Sequence, residues 1–147
     1  MDVHGTHTFA APRERVWQLL LDPDAIRNAL PGVKEFRQVG EDEFEATMSI
    51  GVGAIKGTYS GKVKLSDQEP ITRYRLTVEG SGRPGFLKGD GVIQLEEKEG
   101  STLVTYNGQA QVGGMIASVG QRLVMASAQL VIGQFFKAME RQLGRSE

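Results

Sequence analysis

The chain has 147 residues, a formal net charge of −1 and a pI of about 6.2. Hydrophobic residues make up 39% and charged residues 24%; this is the balance of one globular domain, and near-neutral charge gives no reason to expect nucleic acid as a partner. The absence of cysteine excludes disulfides, iron–sulfur ligation and thiol catalysis, and a charged N-terminus with no apolar stretch behind it predicts a cytoplasmic protein without a signal peptide.

Val3, Gly5, His7 and Phe9 alternate with His4, Thr6 and Thr8. Period two marks a strand with one wet and one dry face. Ala11-Pro12 then opens a short helix, since proline suits the first helical turn, and Val16, Trp17, Leu19, Leu20 and Leu21 give it an apolar side. Asp22-Pro23-Asp24 ends that helix and starts a second, through Ile26 and Leu30, before Pro31-Gly32 forces a turn. These two helices are expected to plug one end of a sheet.

Strands fill the middle of the chain. An irregular run around Val33, Phe36 and Val39 comes first. Phe44, Ala46, Met48, Ile50 and Val52 then share one parity, followed by Ile55 to Leu65, by Tyr74, Leu76 and Val78, by Leu87, Ile93 and Leu95, and by Val104, Tyr106, Ala110 and Val112. Glycine, proline and acidic residues punctuate these runs, and such short connections predict antiparallel hairpins.

The segment from about Met115 to Leu143 reads as one long apolar helix. At about 100° per residue, Val124, Ala128, Val131, Ile132, Phe135, Phe136, Met139 and Leu143 form a broad arc. Ile116, Val119, Leu123 and Leu130 fall on another azimuth. Arg122, Lys137, Glu140 and Arg141, with Gly120 and Gly133, exclude a membrane span. A sheet that is dry on one face needs a cover, and this helix is the only large candidate. The pattern therefore predicts an α+β domain spanning residues 1–147, in which a curved sheet grips the helix.

Function is expected between sheet and helix. Met48, Leu76 and Ile93 from the strands and Leu123, Val131 and Phe135 from the helix are candidate walls. His7, Tyr59, Tyr74 and Tyr106 would supply polar tips, although each also fits an ordinary structural role. Several glycines share the inward parity, for which either sheet curvature or spare volume is a reason. An empty apolar void of ~300 Å³ would cost about 7 kcal/mol at ~24 cal/mol per Å³, comparable to the stability of a whole domain. A pocket here is expected to be partly wet, collapsed or filled by ligand.

Chemical motifs are lacking. Gly80-Ser81-Gly82-Arg83-Pro84-Gly85 spells GxGxxG, but Pro84 and a following strand replace the helix that would bind pyrophosphate. His4 and His7 point to opposite faces, which argues against a metal pair. Glu43, Glu45, Glu79, Asp90 and Glu96 face water by parity, so no buried acid–base pair is evident. Lys56, Lys62, Lys64, Arg73 and Arg75 sit at outward parity; they read as a solvated face with acidic neighbours, or alternatively as a patch for an acidic partner.

Order and spacing carry a resemblance. Gly5 through Ala11-Pro12 to Val16-Trp17, Leu20-x-Asp22-Pro23, Leu30-Pro31-Gly32, Gly51-Val52-Gly53-Ala54-Ile55-Lys56-Gly57, Gly89 with Gly91, Thr102-x-x-x-Tyr106, Val112-Gly113-Gly114 and Phe135-Phe136 together resemble the carbon monoxide dehydrogenase CoxG family of the START-like helix-grip superfamily. The resemblance implies a seven-stranded curved antiparallel sheet around a long C-terminal helix, with two short helices after the first strand. It also implies an accessory role beside a molybdenum hydroxylase, docking that enzyme at the inner face of the cytoplasmic membrane. The cavity would hold a hydrophobic small molecule such as a quinone or lipid, with no cofactor required and no metal. Longer members carry a C-terminal extension for membrane attachment, whereas this sequence ends at Arg145-Ser146-Glu147. A small cyclase/dehydratase-type enzyme using the same cavity, and a module that dimerises through its helix, are the alternatives.

Overall fold

Strand parity decides which face of the sheet is dry. In the computed structural model, which describes residues 1–51 and 53–145, seven strands form one antiparallel sheet in the order β1-β7-β6-β5-β4-β3-β2. They are β1 (Asp2–Phe9), β2 (Val33–Gly40), β3 (Glu43–Ile50), β4 (Gly57–Glu69), β5 (Arg73–Gly82), β6 (Gly85–Lys98) and β7 (Ser101–Gly113). The register places Phe44 opposite Val63, Val63 opposite Val78, Tyr74 opposite Ile93, and Ile93 opposite Tyr106. The apolar parities within these strands therefore fall on one face; Ile55, read as the start of a strand, instead ends a 3₁₀ turn, Gly53–Ile55. Val52, read as the end of a strand, lies outside the described residues, as do Ser146 and Glu147.

Three helices cover that face: α1 (Arg13–Leu21), α2 (Pro23–Ala29) and α3 (Gln121–Arg145). Asp22 caps α2 by accepting a hydrogen bond from the Asp24 amide at 3.1 Å, and Pro23 occupies the first turn. As expected, α1 and α2 plug one end of the sheet, where Val16, Leu20, Ile26, Phe9, Phe44, Leu65, Leu95, Val104, Phe136 and Met139 form a continuous buried core. The buried Thr102 hydroxyl satisfies the Ala11 carbonyl at 2.8 Å and so fixes the chain where β1 turns into α1. Gln142 donates to the Ala25 carbonyl at 3.0 Å, and Arg15 donates to the Leu143 carbonyl at 2.7 Å. These bonds seat the C-terminal half of α3 on the plug.

One expectation needs correction, and one alternative is decided. The closing segment is not one helix: Met115–Val119 forms a separate 3₁₀ turn, and α3 starts only at Gln121. Gly120 sits between them at φ 100°, a conformation that side chains disfavour, and its carbonyl accepts the Val124 amide at 3.2 Å. The inward glycines mostly make room for close neighbours rather than for a ligand. An added Cβ at Gly61 would collide with the Glu79 carbonyl, and one at Gly5 with the Tyr106 hydroxyl. The irregular run at residues 33–40 is a true edge strand whose register shifts twice, between Val33 and Glu35 and between Gln38 and Gly40. Such bulges blunt an exposed edge.

The outer face is a lattice of ion pairs. Arg73 meets Glu69 at 2.6 Å, Arg75 bridges Asp67 at 3.1 Å and Asp90 at 3.0 Å, Lys64 lies 3.6 Å from Glu43, and Arg37 pairs with Glu45. The hydrogen bond from Arg37 holds the Glu45 carboxyl below its ordinary pKa. The solvated reading of the sheet's basic residues holds for these pairs.

Packing at the plug predicts a sharp contrast along α3. Met139→Ala removes a side chain with no exposure and is expected to cost about 2–5 kcal/mol. Leu130→Ala, on the exposed side of the same helix, should stay within about 0.5 kcal/mol. Urea denaturation checks both, as a fall in midpoint at unchanged slope for the first variant alone.

Candidate ligand chamber between sheet and helix

Burial along the concave face is uneven. The main core occupies the plugged end. At the opposite, loop end, Ile50, Ile116 and Val124 are buried but do not join that core. Met48, Tyr59, Val78 and Leu87 on the sheet and Val131 on α3 face inward on the loop side of that core, and all are only half-buried. Interiors packed at normal density leave such side chains almost no accessible surface. These half-buried side chains form an apolar band beside the core.

The ten residues expected at the site distribute across this gradient. Tyr74 and Ile93 belong to the core, with Tyr74 edge-on to Trp17 at 5.6 Å between ring centres. Leu76, Tyr106 and Phe135 are half-buried and pack against the core's margin. Met48, Tyr59 and Val131 lie beyond it, on the band itself. Leu123 is a correction: it is 56% exposed on the outer side of α3. Its neighbour Val124, about 100° around the helix, takes the inward azimuth instead.

Three of the four polar tips, His7, Tyr59 and Tyr106, are already engaged. His7 Nε2 lies 2.7 Å from Glu140 Oε1, and its ring stacks on Phe136 at 5.6 Å. The Tyr106 hydroxyl donates to Gln129 Oε1 at 2.9 Å, while Gln129 Nε2 donates to the His4 carbonyl at 3.2 Å. Tyr59 donates to the Ile55 carbonyl at 2.6 Å. With these groups satisfied by protein, the band presents chiefly apolar surface. His7 and Glu140 are committed to each other, and among the described residues no cluster of three His, Cys, Asp or Glu is arranged to hold a metal. Such a lining suits the apolar body of a small molecule rather than proton transfer.

Sequence reasoning missed the latch at the loop end. The 3₁₀ turn Gly53–Ile55 is held on α3 by Ser127, whose Oγ accepts the Ala54 amide at 2.8 Å and donates to the Leu123 carbonyl at 3.0 Å. The signal was present: Ser127 is a polar residue on the apolar azimuth, three positions after Val124.

Two depressions mark the surface. One, of ≈ 1100 Å³, lies over β2–β6 and is lined by outward residues including Glu45, Thr47, Ser60, Lys62, Glu79 and Lys88. The other, of ≈ 560 Å³, lies at the loop end among Ala54, Lys56, Arg83, Pro84, Met115, Ile116 and Val119. GxGxxG is there a two-residue hairpin turn, with Gly82 paired to Gly85.

Known proteins place this architecture. The profile of the carbon monoxide dehydrogenase CoxG family matches residues 5–144. The chain belongs to that family. No curated protein matches this CoxG family member in sequence. Among solved structures, a conserved protein from Geobacillus kaustophilus is similar at 35% identity and a TM-score of 0.94, with 99% of this chain and 97% of that one covered. A START superfamily protein from Mycobacterium smegmatis has the same fold at 14% identity and a TM-score of 0.77, with 99% of each chain covered. A protein from Thermus thermophilus does so at 18% identity and a TM-score of 0.76, covering 100% of this chain and 99% of that one. No helix among the described residues is long and apolar enough to cross a membrane.

Two outcomes test this geometry. Burial raises the phenol pKa of Tyr59, Tyr74 and Tyr106, most of all that of Tyr74. A raised pKa means that the fold favours the protonated phenol, so this contribution is complete below the ordinary value of about 10 and is lost as pH climbs past it toward the folded values. Phenolate absorbance of the folded protein should therefore lag that of the chain in denaturant, and stability should fall in strong alkali. Ser127→Ala leaves the Ala54 amide without its acceptor and is expected to cost about 1–3 kcal/mol. Hydrogen exchange at Ala54 should then accelerate while exchange in the plug stays unchanged.

Proposed function

We propose that this CoxG family member is a non-catalytic accessory protein. It carries a hydrophobic small molecule, a quinone or a lipid-like molecule, between sheet and helix, and docks a molybdenum hydroxylase of the carbon monoxide dehydrogenase type at the cytoplasmic membrane. The observation that carries the reading is the band of inward-facing, half-buried side chains Met48, Tyr59, Val78, Leu87 and Val131 beside the main core. Apolar space left empty costs about 24 cal/mol per Å³, so a filling molecule gains affinity by removing that cost. The engaged tips of His7, Tyr59 and Tyr106 favour a ligand bound by shape and apolar area over one held by many hydrogen bonds.

Solvent extraction of the purified protein followed by mass spectrometry is expected to yield a quinone or lipid. Val131→Phe fills the band with apolar bulk; it should weaken binding of a soluble quinone by about tenfold or more while leaving the melting temperature the same or higher. Repeated absence of any apolar ligand, with no quinone affinity, would sink the carrier reading. Affinity capture from the native host tests the docking, and it should recover the hydroxylase.

A further inference from the structure

Charge is segregated between the two ends of the molecule. The chain has 18 carboxylate side chains, yet none falls within residues 46–66, 80–89 or 100–139, stretches that include the hairpin tips and turns of the loop end. The opposite end carries Glu41 and Asp42, Asp67 and Glu69, and Glu97 and Glu99 in its hairpin turns, and Glu14, Asp22 and Asp24 on α1, the connection and α2. At the loop end Lys56 and Arg83 line one cleft with Met115 and Val119, and Arg122 follows in the first turn of α3. Among the described residues none of these three cations forms an ion pair, whereas Arg37, Lys64, Arg73 and Arg75 on the sheet all do. The nearest strand carboxylates are occupied: Asp2 accepts from Gln109, and Glu79 lies in register between Lys62 and Lys88.

Apolar side chains are exposed beside these cations. Met115 is 69% exposed, and Val119 and Leu123 also face solvent. Large apolar groups in contact with water mark a contact surface, and unpaired cations around them specify an anionic one. A second copy of this chain would bring like charges together, which disfavours self-association through this face. Apolar tips ringed by lysine and arginine are the composition that seats on a bilayer of acidic phospholipids, where apolar insertion and headgroup attraction add.

We propose that the loop end, with Met115, Val119 and Leu123 inserted and Lys56, Arg83 and Arg122 on the phosphates, is a docking surface for an anionic phospholipid membrane. This rests on the carrier reading and deepens it. The chamber lies directly behind the loops, so an apolar ligand would pass between bilayer and protein without crossing water. The carboxylate-rich plug then points away from the membrane, and the charge separation orients the approach.

Flotation with vesicles tests the proposal, using phosphatidylcholine alone and phosphatidylcholine mixed with an equal part of phosphatidylglycerol. The protein is expected to float with the mixed vesicles only, and less at high salt. The double variant K56E/R83E should lose binding by about tenfold or more, since each cation near an anionic surface strengthens binding roughly fivefold. Met115→Ser should weaken it several-fold. Lys98→Glu, at the plugged end, should leave it unchanged, and melting temperatures confirm that the variants are folded. Equal binding to both vesicle types, or binding indifferent to K56E/R83E, overturns the proposal. So does a double variant that still floats but no longer captures the hydroxylase, because the cations would then serve an acidic protein. Quinone affinity measured without vesicles separates the two readings: if it is absent while flotation persists, the carrier reading falls and the surface stands.

Discussion

Phe136 is the contact on which the rest of the molecule depends. Its ring lies 5.6 Å from His7, 6.2 Å from Phe9, 5.6 Å from Tyr106 and 5.5 Å from Phe135. It thereby joins α3 to β1 and β7 at one point. Aromatic burial of this kind combines large apolar area with preferred ring geometry. Met139 and Leu143 continue the same face into the plug formed by α1 and α2. The C-terminal half of the helix is thus fixed by packing, whereas the N-terminal half is fixed by Ser127 and the loops. A helix clamped at both ends over a curved sheet leaves its middle over the half-buried band.

That arrangement reconciles stability with a carrier's need for volume. The domain concentrates its tight packing at the plug, where Phe9, Val16, Val104 and Met139 have no exposure. The half-buried band lies where His7, Tyr59 and Tyr106 already have protein partners. Gly5 shows how local the compromise is: it lets Tyr106 lie flat against β1, from where the hydroxyl reaches Gln129. On the proposed reading, a membrane-facing loop end and an acidic plug would add a direction to the container.

Much of this was legible in the residues. Alternation identified the strands and their inward faces, and proline and glycine placed both short helices and the turns. Motif order pointed to the family. The carboxylates Glu43, Glu45, Glu79, Asp90 and Glu96 could be assigned to the outer face by parity alone. The site was less legible. Parity gave Leu76, Ile93 and Tyr74 the same standing as Met48 and Tyr59, because it states which face a side chain is on and not how deep it lies. The helical arc was too broad to exclude Leu123. Gly120 was visible as a break in composition, but its positive φ, which ends the 3₁₀ turn and starts α3 afresh, was not.

The sequence by itself determined the covalent and local terms: secondary structure, faces, the absence of thiol chemistry and the stretches without carboxylates. Each follows from neighbours a few residues apart. Tertiary structure alone decided depth along the sheet, the pairing of His7 with Glu140 and of Ala54 with Ser127, and the gathering of Lys56, Arg83 and Arg122 at one end. Those facts join residues far apart in the chain. They depend on where the curved sheet brings its hairpin tips against α3, a long-range geometry that no local pattern encodes.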